Sequence, residues 1–93
     1  VNLPCILYNV PSRTGCNLTP ASLAQLAKLP NINAVKEASG NITQMDDIIK
    51  NKPANFDVIS GDDGITFPLI TLGAVGVISV IGNALPAEVS RMV

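Results

Sequence analysis

The sequence predicts an α/β fold built on a parallel β-sheet. Short apolar runs typical of strands alternate four times with segments in which apolar residues recur at helical spacing. Strands that alternate with helices form parallel sheets joined by right-handed crossovers. Only 14% of the 93 residues are charged and 47% are hydrophobic, whereas roughly 25% are charged in an ordinary soluble domain. Much of the chain is therefore expected to be covered.

The first unit is a strand over residues 3–10, followed by a loop over 12–18 and a helix. Pro11 ends the strand because proline lacks an N–H donor and holds its predecessor in extended geometry. Thr19 is a good helix N-cap, and apolar residues recur with helical spacing over 20–29 until a proline ends the helix.

The second and third units repeat this pattern. The second has a strand over 32–37, a turn over 39–41 and a helix that ends near 52–53. Four apolar residues share one face of this helix: Ile42, Met45, Ile48 and Ile49. The third unit has a strand over 56–60 and, after a turn, a helical stripe over 65–72, where the proline at position 68 is tolerable only in the first turn.

The fourth unit begins with a strand over 75–80 that is apolar on both faces, which is typical of a parallel strand covered on both sides. The Gly-Ala-Val-Gly segment at 73–76 precedes this strand, so it predicts a helix-to-strand turn and not a phosphate-binding loop. Asn83 and Pro86 predict the start of a last helix.

Two architectures fit these units: a doubly wound open sheet, and part of a (β/α)8 TIM barrel, whose eight units need roughly 250 residues. Four units would be about half a barrel, with two unpaired sheet edges that should pair with the missing half. The chain starts at Val1 instead of a methionine and stops within a predicted helix. We therefore expect residues 1–93 to be a partial barrel, truncated at both ends.

The composition excludes several classes of function. Seven acidic and six basic residues give a net charge of −1, which argues against binding to nucleic acid or to an anionic membrane. No apolar run reaches the roughly 18 residues of a membrane span, and no targeting segment is visible. The chain has no histidine, and Cys5 and Cys16 are isolated, so neither a zinc site nor a redox pair is predicted. We expect a cytoplasmic protein with reduced cysteines and no cofactor.

Lys36 is the first candidate for chemistry. Functional residues of parallel α/β folds lie at the carboxyl ends of the strands, and Lys36 follows uncharged residues near such an end. An ammonium is costly there unless it is paired or deprotonated, and a neutral amine can attack a carbonyl to form a Schiff base. The alternative is a lysine that reaches solvent or forms an ion pair with Glu37 or another acidic residue.

Tyr8, Arg13 and two aspartates are further candidates near strand ends. Tyr8 is either a core residue or a proton carrier. Arg13 is either a solvated loop residue or binds a carboxylate through two parallel hydrogen bonds. Asp62 and Asp63 could form a metal or acid–base pair, but turn and helix-capping roles are favoured because no third ligand lies nearby in the sequence.

Four segments together resemble the dihydrodipicolinate synthase (4-hydroxy-tetrahydrodipicolinate synthase) family, within the superfamily of pyruvate-dependent class I aldolases and N-acetylneuraminate lyases. They are Tyr-Asn-Val-Pro-Ser-Arg-Thr-Gly at 8–15, Val-Lys-Glu-Ala-Ser-Gly at 35–40, Ser-Gly-Asp-Asp at 60–63 and Gly-Val-Ile-Ser-Val at 76–80. The resemblance covers essentially the whole chain and implies strands five to eight of a (β/α)8 barrel.

The resemblance also implies a role for five residues. Lys36 would form the Schiff base with pyruvate, and Tyr8 would belong to the proton relay. Arg13 would receive the carboxylate of aspartate 4-semialdehyde, and the backbone of Gly61 and Ile78 would line the pyruvate pocket. No metal is implied, because the iminium nitrogen is itself the electron sink.

The implied activity is that of a lyase that condenses the two substrates to 4-hydroxy-tetrahydrodipicolinate, in lysine and diaminopimelate biosynthesis. The resemblance further implies a homo-oligomer, a tetramer or a dimer. The family's threonine pair, second relay tyrosine and lysine-feedback site belong to the first half of the barrel, so the 93 residues alone should be inactive. Alternatives are an N-acetylneuraminate lyase or sugar-acid aldolase, which generally lack an arginine at position 13, a non-catalytic binding module, and a stand-alone flavodoxin-like domain.

Overall fold

Four parallel strands form a single sheet in a computed structural model that describes residues 2–93. The strands are β1 (Cys5–Asn9), β2 (Ile32–Glu37), β3 (Asp57–Ser60) and β4 (Gly76–Val77). The helices are α1 (Pro11–Thr14), α2 (Pro20–Leu26), α3 (Ile42–Asn51), α4 (Thr66–Leu72) and α5 (Pro86–Met92), with 3₁₀ turns at Asp63–Ile65 and Ile81–Asn83. The spatial order β1-β2-β3-β4 follows the sequence without a reversal. Successive units of a barrel are arranged in this way, whereas a doubly wound sheet reverses its order.

Local sequence signals set the helix starts, and the predicted cap at Thr19 is confirmed. The Thr19 side chain accepts a hydrogen bond of 3.2 Å from the Ser22 N–H at the start of α2. The Asn41 side chain accepts one of 3.0 Å from the Gln44 N–H at the start of α3. Pro68 is the third residue of α4, within its first turn. The bounds of β2 are those predicted from the apolar pattern.

The predicted loop over 12–18 is wrong in part, because its beginning is helical. Pro11 opens the single-turn helix α1, where its fixed φ is favourable and its missing N–H is not needed. Gly15 closes the turn with a left-handed φ of 68°, and its N–H donates to the Pro11 carbonyl at 2.9 Å.

The fourth strand is also shorter than predicted. β4 contains two residues, and the Ile78 N–H extends the pairing by one hydrogen bond to the Ser60 carbonyl at 2.9 Å. The prediction that 75–80 is covered on both faces is wrong within residues 2–93, since Val75, Ile78 and Val80 are exposed. The reason is that the core lies on one face of the sheet only, and β4 has a neighbouring strand on one side only. An apolar run reveals neither of these features.

The apolar core lies between one face of the sheet and helices α2, α3 and α4. Its buried members are Leu23, Val35, Met45, Ile48, Phe56, Val58, Leu69 and Ala74. We call this the covered face, and we call the opposite side of the sheet, where Ile6, Tyr8 and Ile78 are exposed, the open face. None of the helices in residues 2–93 has the length and apolar character needed to cross a bilayer.

A β-bulge sets the pairing of β1 with β2. Cys5 pairs with Ile32, but Ile6 pairs with Ala34, so Asn33 has no counterpart in β1. Ile32 packs against the core on the covered face. After the bulge the two strands continue in regular register, which aligns Tyr8 with Lys36.

Candidate active site

Tyr8 and Lys36 are brought together on the open face, at the carboxyl ends of β1 and β2. They are register partners, so their side chains leave the sheet on the same side. The Lys36 Nζ lies 4.1 Å from the centroid of the Tyr8 ring, within the range of a cation–π contact. Tyr8 is 49% exposed and is therefore not a core residue of the described chain.

Lys36 makes no ion pair within residues 2–93, where the ion pairs are Asp46–Lys50 and Glu88–Arg91. The alternative in which Lys36 pairs with Glu37 is therefore wrong for this structure. The physical reason is strand alternation, because consecutive residues of a strand point to opposite faces of the sheet. Glu37 is fully buried on the covered face. The amine at the open face is consequently left available to a ligand.

Gly61 is the third residue of this cluster, because the Lys36 side chain passes over it. A Cβ built on Gly61 would lie 2.9 Å from the Lys36 Cε and 2.9 Å from the Ala38 Cβ. No side chain fits at that separation without a shift. Glycine at position 61 thus leaves room for the lysine stem as it crosses from β2 towards the end of β3.

Arg13 and Ile78 lie at the same edge of the sheet but are not linked to this cluster. Arg13 is exposed in α1, directly after β1, and Ile78 is 44% exposed directly after β4. Within residues 2–93, no hydrogen bond or ion pair joins either side chain to Tyr8 or Lys36. The Ile78 N–H is already used in its bond to the Ser60 carbonyl.

Behind the open face lies a buried polar pair, Asn9 and Glu37, which follow Tyr8 and Lys36 in sequence. The Asn9 Nδ2 donates to both Glu37 carboxylate oxygens, at 3.2 and 3.0 Å, and the Ser39 N–H donates to Glu37 Oε1 at 2.7 Å. Asn9 is 1% and Glu37 0% exposed. Neither residue is among the sequence-predicted site residues. A signal for them exists, however, since polar residues at core-facing strand positions must find hydrogen-bond partners.

The two aspartates after β3 have separate roles. Asp62 caps the 3₁₀ turn by accepting a bond of 2.9 Å from the Gly64 N–H, as the turn and capping prediction expects. Asp63 instead accepts bonds from the Val80 and Ile81 N–H groups, at 3.0 and 2.9 Å, and so ties the segment after β4 to the end of β3. Within residues 2–93, no three His, Cys, Asp or Glu side chains are grouped so that they could hold a metal ion.

The hydrogen bonds to Asp63 affect its titration. The Ser79 side chain, together with the Ile81 and Val80 N–H groups, holds the pKa of Asp63 below its ordinary value, against an opposing effect of desolvation. The carboxylate form is therefore the one that this loop stabilises.

Comparison with known proteins gives close relatives over the whole chain. The model of the dihydrodipicolinate synthetase family matches residues 1–93. The 4-hydroxy-tetrahydrodipicolinate synthase of Phocaeicola vulgatus is 77% identical over 92 residues, which are 98% of this chain and 31% of that protein. The protein of the same name from Parabacteroides distasonis is 73% identical over 93 residues, 99% of this chain and 31% of that one.

Solved structures give the same result at the level of the fold. Dihydrodipicolinate synthase from Aquifex aeolicus superposes with a TM-score of 0.95 at 42% identity, over 98% of this chain and 31% of that one. The chloride-inhibited enzyme from Acinetobacter baumannii, complexed with pyruvate, gives a TM-score of 0.94 at 42% identity with the same coverage. The chain thus spans about 31% of the length of these relatives, and its four units are part of a (β/α)8 barrel. The chain belongs to the dihydrodipicolinate synthetase family.

Proposed function

We propose that this chain supplies the Schiff-base lysine of a lyase that condenses pyruvate with aspartate 4-semialdehyde to 4-hydroxy-tetrahydrodipicolinate. The observation that carries the proposal is the Lys36 amine, which has no ion pair within residues 2–93 and lies 4.1 Å from the Tyr8 ring on the open face. The names of the relatives and the pyruvate complex of one of them support this assignment.

In the proposed reaction the Lys36 nitrogen attacks the ketone carbon of pyruvate, and the carbinolamine loses water to give an imine. The protonated imine withdraws electrons, so the pyruvate methyl group loses a proton and an enamine forms. The enamine carbon then adds to the aldehyde of the second substrate. Cyclisation through the amino group of that substrate expels the lysine, which regains its free amine.

The neighbouring residues divide the remaining work. The Tyr8 phenol, beside the amine, would carry protons to and from the carbinolamine and the aldehyde oxygen. Arg13 would hold the carboxylate of aspartate 4-semialdehyde with its guanidinium. Gly61 and Ile78 would line the pyruvate pocket. Because the Ile78 N–H is bonded to Ser60, its carbonyl and side chain are the groups that it can offer.

We further infer that residues 1–93 act as strands five to eight of a complete barrel, and that the other strands of this barrel cover the open face. The complete protein would be a cytoplasmic homo-oligomer. The completion of the barrel is supported by the share of the relatives that the chain spans, 31%, and by the exposed apolar side chains on the open face. The cytoplasmic location and the homo-oligomer are what the family resemblance implies. The 93 residues by themselves should then be inactive, because half of the wall around Lys36 would be missing.

The test is reductive trapping of the complete barrel protein with pyruvate and borohydride, followed by mass spectrometry of the peptide that contains Lys36. We expect a reduced pyruvate adduct at Lys36 and no adduct in Lys36→Ala. The adduct should be unchanged in Lys28→Ala, which removes an exposed lysine that bonds to Gln25, outside the candidate site. Absence of the adduct at Lys36 in the unmodified protein would reject the proposal.

A turnover assay addresses the second substrate. We expect activity with aspartate 4-semialdehyde and none with sugar aldehydes, and we expect Arg13→Ala to raise the KM for the semialdehyde while the pyruvate adduct still forms. Turnover with sugar aldehydes alone would indicate a sugar-acid aldolase of the same superfamily.

A further inference from the structure

Asn9 and Glu37 are hydrogen-bonded to each other, one residue beyond the Tyr8 and Lys36 side chains. Each directly follows one of them, Tyr8 in β1 and Lys36 in β2, and the two followers are themselves register partners. The bonds of 3.2 and 3.0 Å from the Asn9 amide to the Glu37 carboxylate therefore cross the same strand pair, one residue beyond the amine and the phenol. A slip of one strand along the other would break these bonds.

Asn9 also binds the far end of the segment over residues 10–18, which carries Arg13 in α1 and which we call the Arg13 loop. The chain leaves β1 after Asn9 and returns to its side chain, where the Leu18 N–H donates to Asn9 Oδ1 at 2.9 Å. The Asn9 Nδ2 also lies 3.0 Å from Asn17 Oδ1. Asn17 in turn exchanges hydrogen bonds of 2.8 and 3.1 Å with Gln44 in α3. The Asn9 side chain, in β1, thus connects the Arg13 loop with β2 and, through Asn17, with α3.

Glu37 is unusual because it is a fully buried carboxylate without a cationic partner in residues 2–93. Burying a charge is costly unless hydrogen bonds satisfy it, and an apolar pair would provide the same packing at lower cost. What an apolar pair cannot provide is a fixed direction, because hydrogen bonds constrain angle and register. The polar pair is therefore best explained by the geometry that it imposes.

We propose that Asn9 and Glu37 are positioning residues that fix the Lys36 amine, the Tyr8 phenol and the Arg13 loop relative to one another. The proposal rests on the proposed function, because it concerns the rate at which Lys36 bonds to pyruvate. Neither residue touches the open face, so they act through the side chains that precede them. Misplacing a reacting group by about 1 Å can slow a reaction by about 100-fold.

The donor and acceptor pattern of the pair makes it testable. The Asn9 Oδ1 accepts from Leu18, so its NH2 group must face Glu37. Asn9→Asp places a carboxylate against a carboxylate. In Glu37→Gln the Ser39 N–H keeps the oxygen at the Oε1 position, so the new NH2 group takes the Oε2 position and faces the Asn9 NH2 group. The double variant Asn9→Asp/Glu37→Gln restores one donor facing one acceptor. Asn17 and Gln44, which are at the surface end of the network, can turn their amides to match.

The experiment measures the rate of pyruvate trapping at Lys36 in the complete barrel protein, together with thermal unfolding. We expect a loss of about 100-fold in Asn9→Asp and about tenfold in Glu37→Gln, and we expect the double variant to return to within about threefold of the unmodified rate. Phe56→Leu is the matched control, since it weakens the buried core and should lower the unfolding temperature without slowing the trapping.

The outcomes separate this inference from the proposed function. No adduct in the unmodified protein would overturn the proposed function, and the positioning role with it. An adduct that forms at the unmodified rate in the single variants, or a double variant no faster than Asn9→Asp, would overturn the positioning role alone. Equal slowing in Phe56→Leu would do the same, because it would assign the effect to stability. If Asn9→Asp does not fold, Glu37→Gln and the double variant still decide.

Discussion

The two faces of the sheet differ most sharply at adjacent residues of β2. Lys36 lies on the open face, where its amine contacts the Tyr8 ring and has no ion pair in residues 2–93, whereas Glu37 is buried on the covered face with both carboxylate oxygens bonded. On the covered side the helices pack on the strands, and every buried side-chain nitrogen and oxygen in residues 2–93 has a hydrogen-bond partner. The comparison teaches that the covered face holds the fold together. The open face carries Tyr8 and Lys36 instead.

The largest effect on the free energy of unfolding should come from a substitution on the covered face. Leu69→Ala removes a buried side chain of α4 and should lower the free energy of unfolding by about 2–5 kcal/mol, because it leaves a cavity in the core. Leu72→Ala, in the same helix but exposed, is the control and should cost far less. Denaturant unfolding measures both. Equal losses in the two variants would break the distinction between the faces.

On the open face, the largest expected effect is on the rate at which Lys36 bonds to pyruvate. Gly61→Ala should slow pyruvate trapping at Lys36 by about 100-fold, because the new methyl group would lie 2.9 Å from both the Lys36 Cε and the Ala38 Cβ. Gly64→Ala is the matched control, since its Cβ would meet nothing closer than 3.4 Å. An unchanged trapping rate in Gly61→Ala would show that the lysine does not need this passage.

A smaller effect on stability is expected at the start of α3, which lies against the covered face. Asn41→Ala removes the cap on the Gln44 N–H and should lower the free energy of unfolding by about 1 kcal/mol. Thr43→Ala, at an exposed position in the first turn of the same helix, serves as the control. The pyruvate adduct should form at the same rate in both variants, and a slower rate in Asn41→Ala would mean that the helix start also influences the open face.

The smallest expected effect is on the pH dependence of stability, through Asp63 at the carboxyl ends of the strands. The pKa of Asp63 is held below its ordinary value by the Ser79 side chain and the Ile81 and Val80 N–H groups. Its contribution to stability is then fully present above about pH 4, the ordinary range of an aspartate, and is lost as the pH falls through the lowered pKa. Unfolding of Asp63→Asn should therefore differ from that of the unmodified protein at neutral pH and converge with it in acid. A constant difference down to low pH would contradict this.

Much of this architecture could be predicted because its signals are local. The bounds of β2 follow from its apolar run, and the starts of α2 and α3 follow from the capping residues Thr19 and Asn41. The length of β4 could not be predicted in the same way. An apolar sequence reports avoidance of water, whereas the extent of a strand depends on which neighbours it pairs with.

The candidate site shows the same division. Residue type and strand position are enough to select Lys36 and Tyr8, but their contact depends on a register that no single strand encodes. The Asn9–Glu37 pair could have been predicted in part, as two polar residues at core-facing positions. The bonds from Val80 and Ile81 to Asp63 could not, because about a whole β/α unit separates the partners in sequence.

The β-bulge at Asn33 shows how β2 tolerates a change in its length. Asn33 is the surplus residue of β2 at this point, and with it bulged out Ile32 packs against the core while Lys36 lies on the open face. Deleting Asn33 would make the pairing with β1 regular from Cys5 onward, with Ile32 still on the covered face and Lys36 still on the open face. Near the amino end of β2 the strand thus accommodates one extra residue without changing the face on which Lys36 and Glu37 lie.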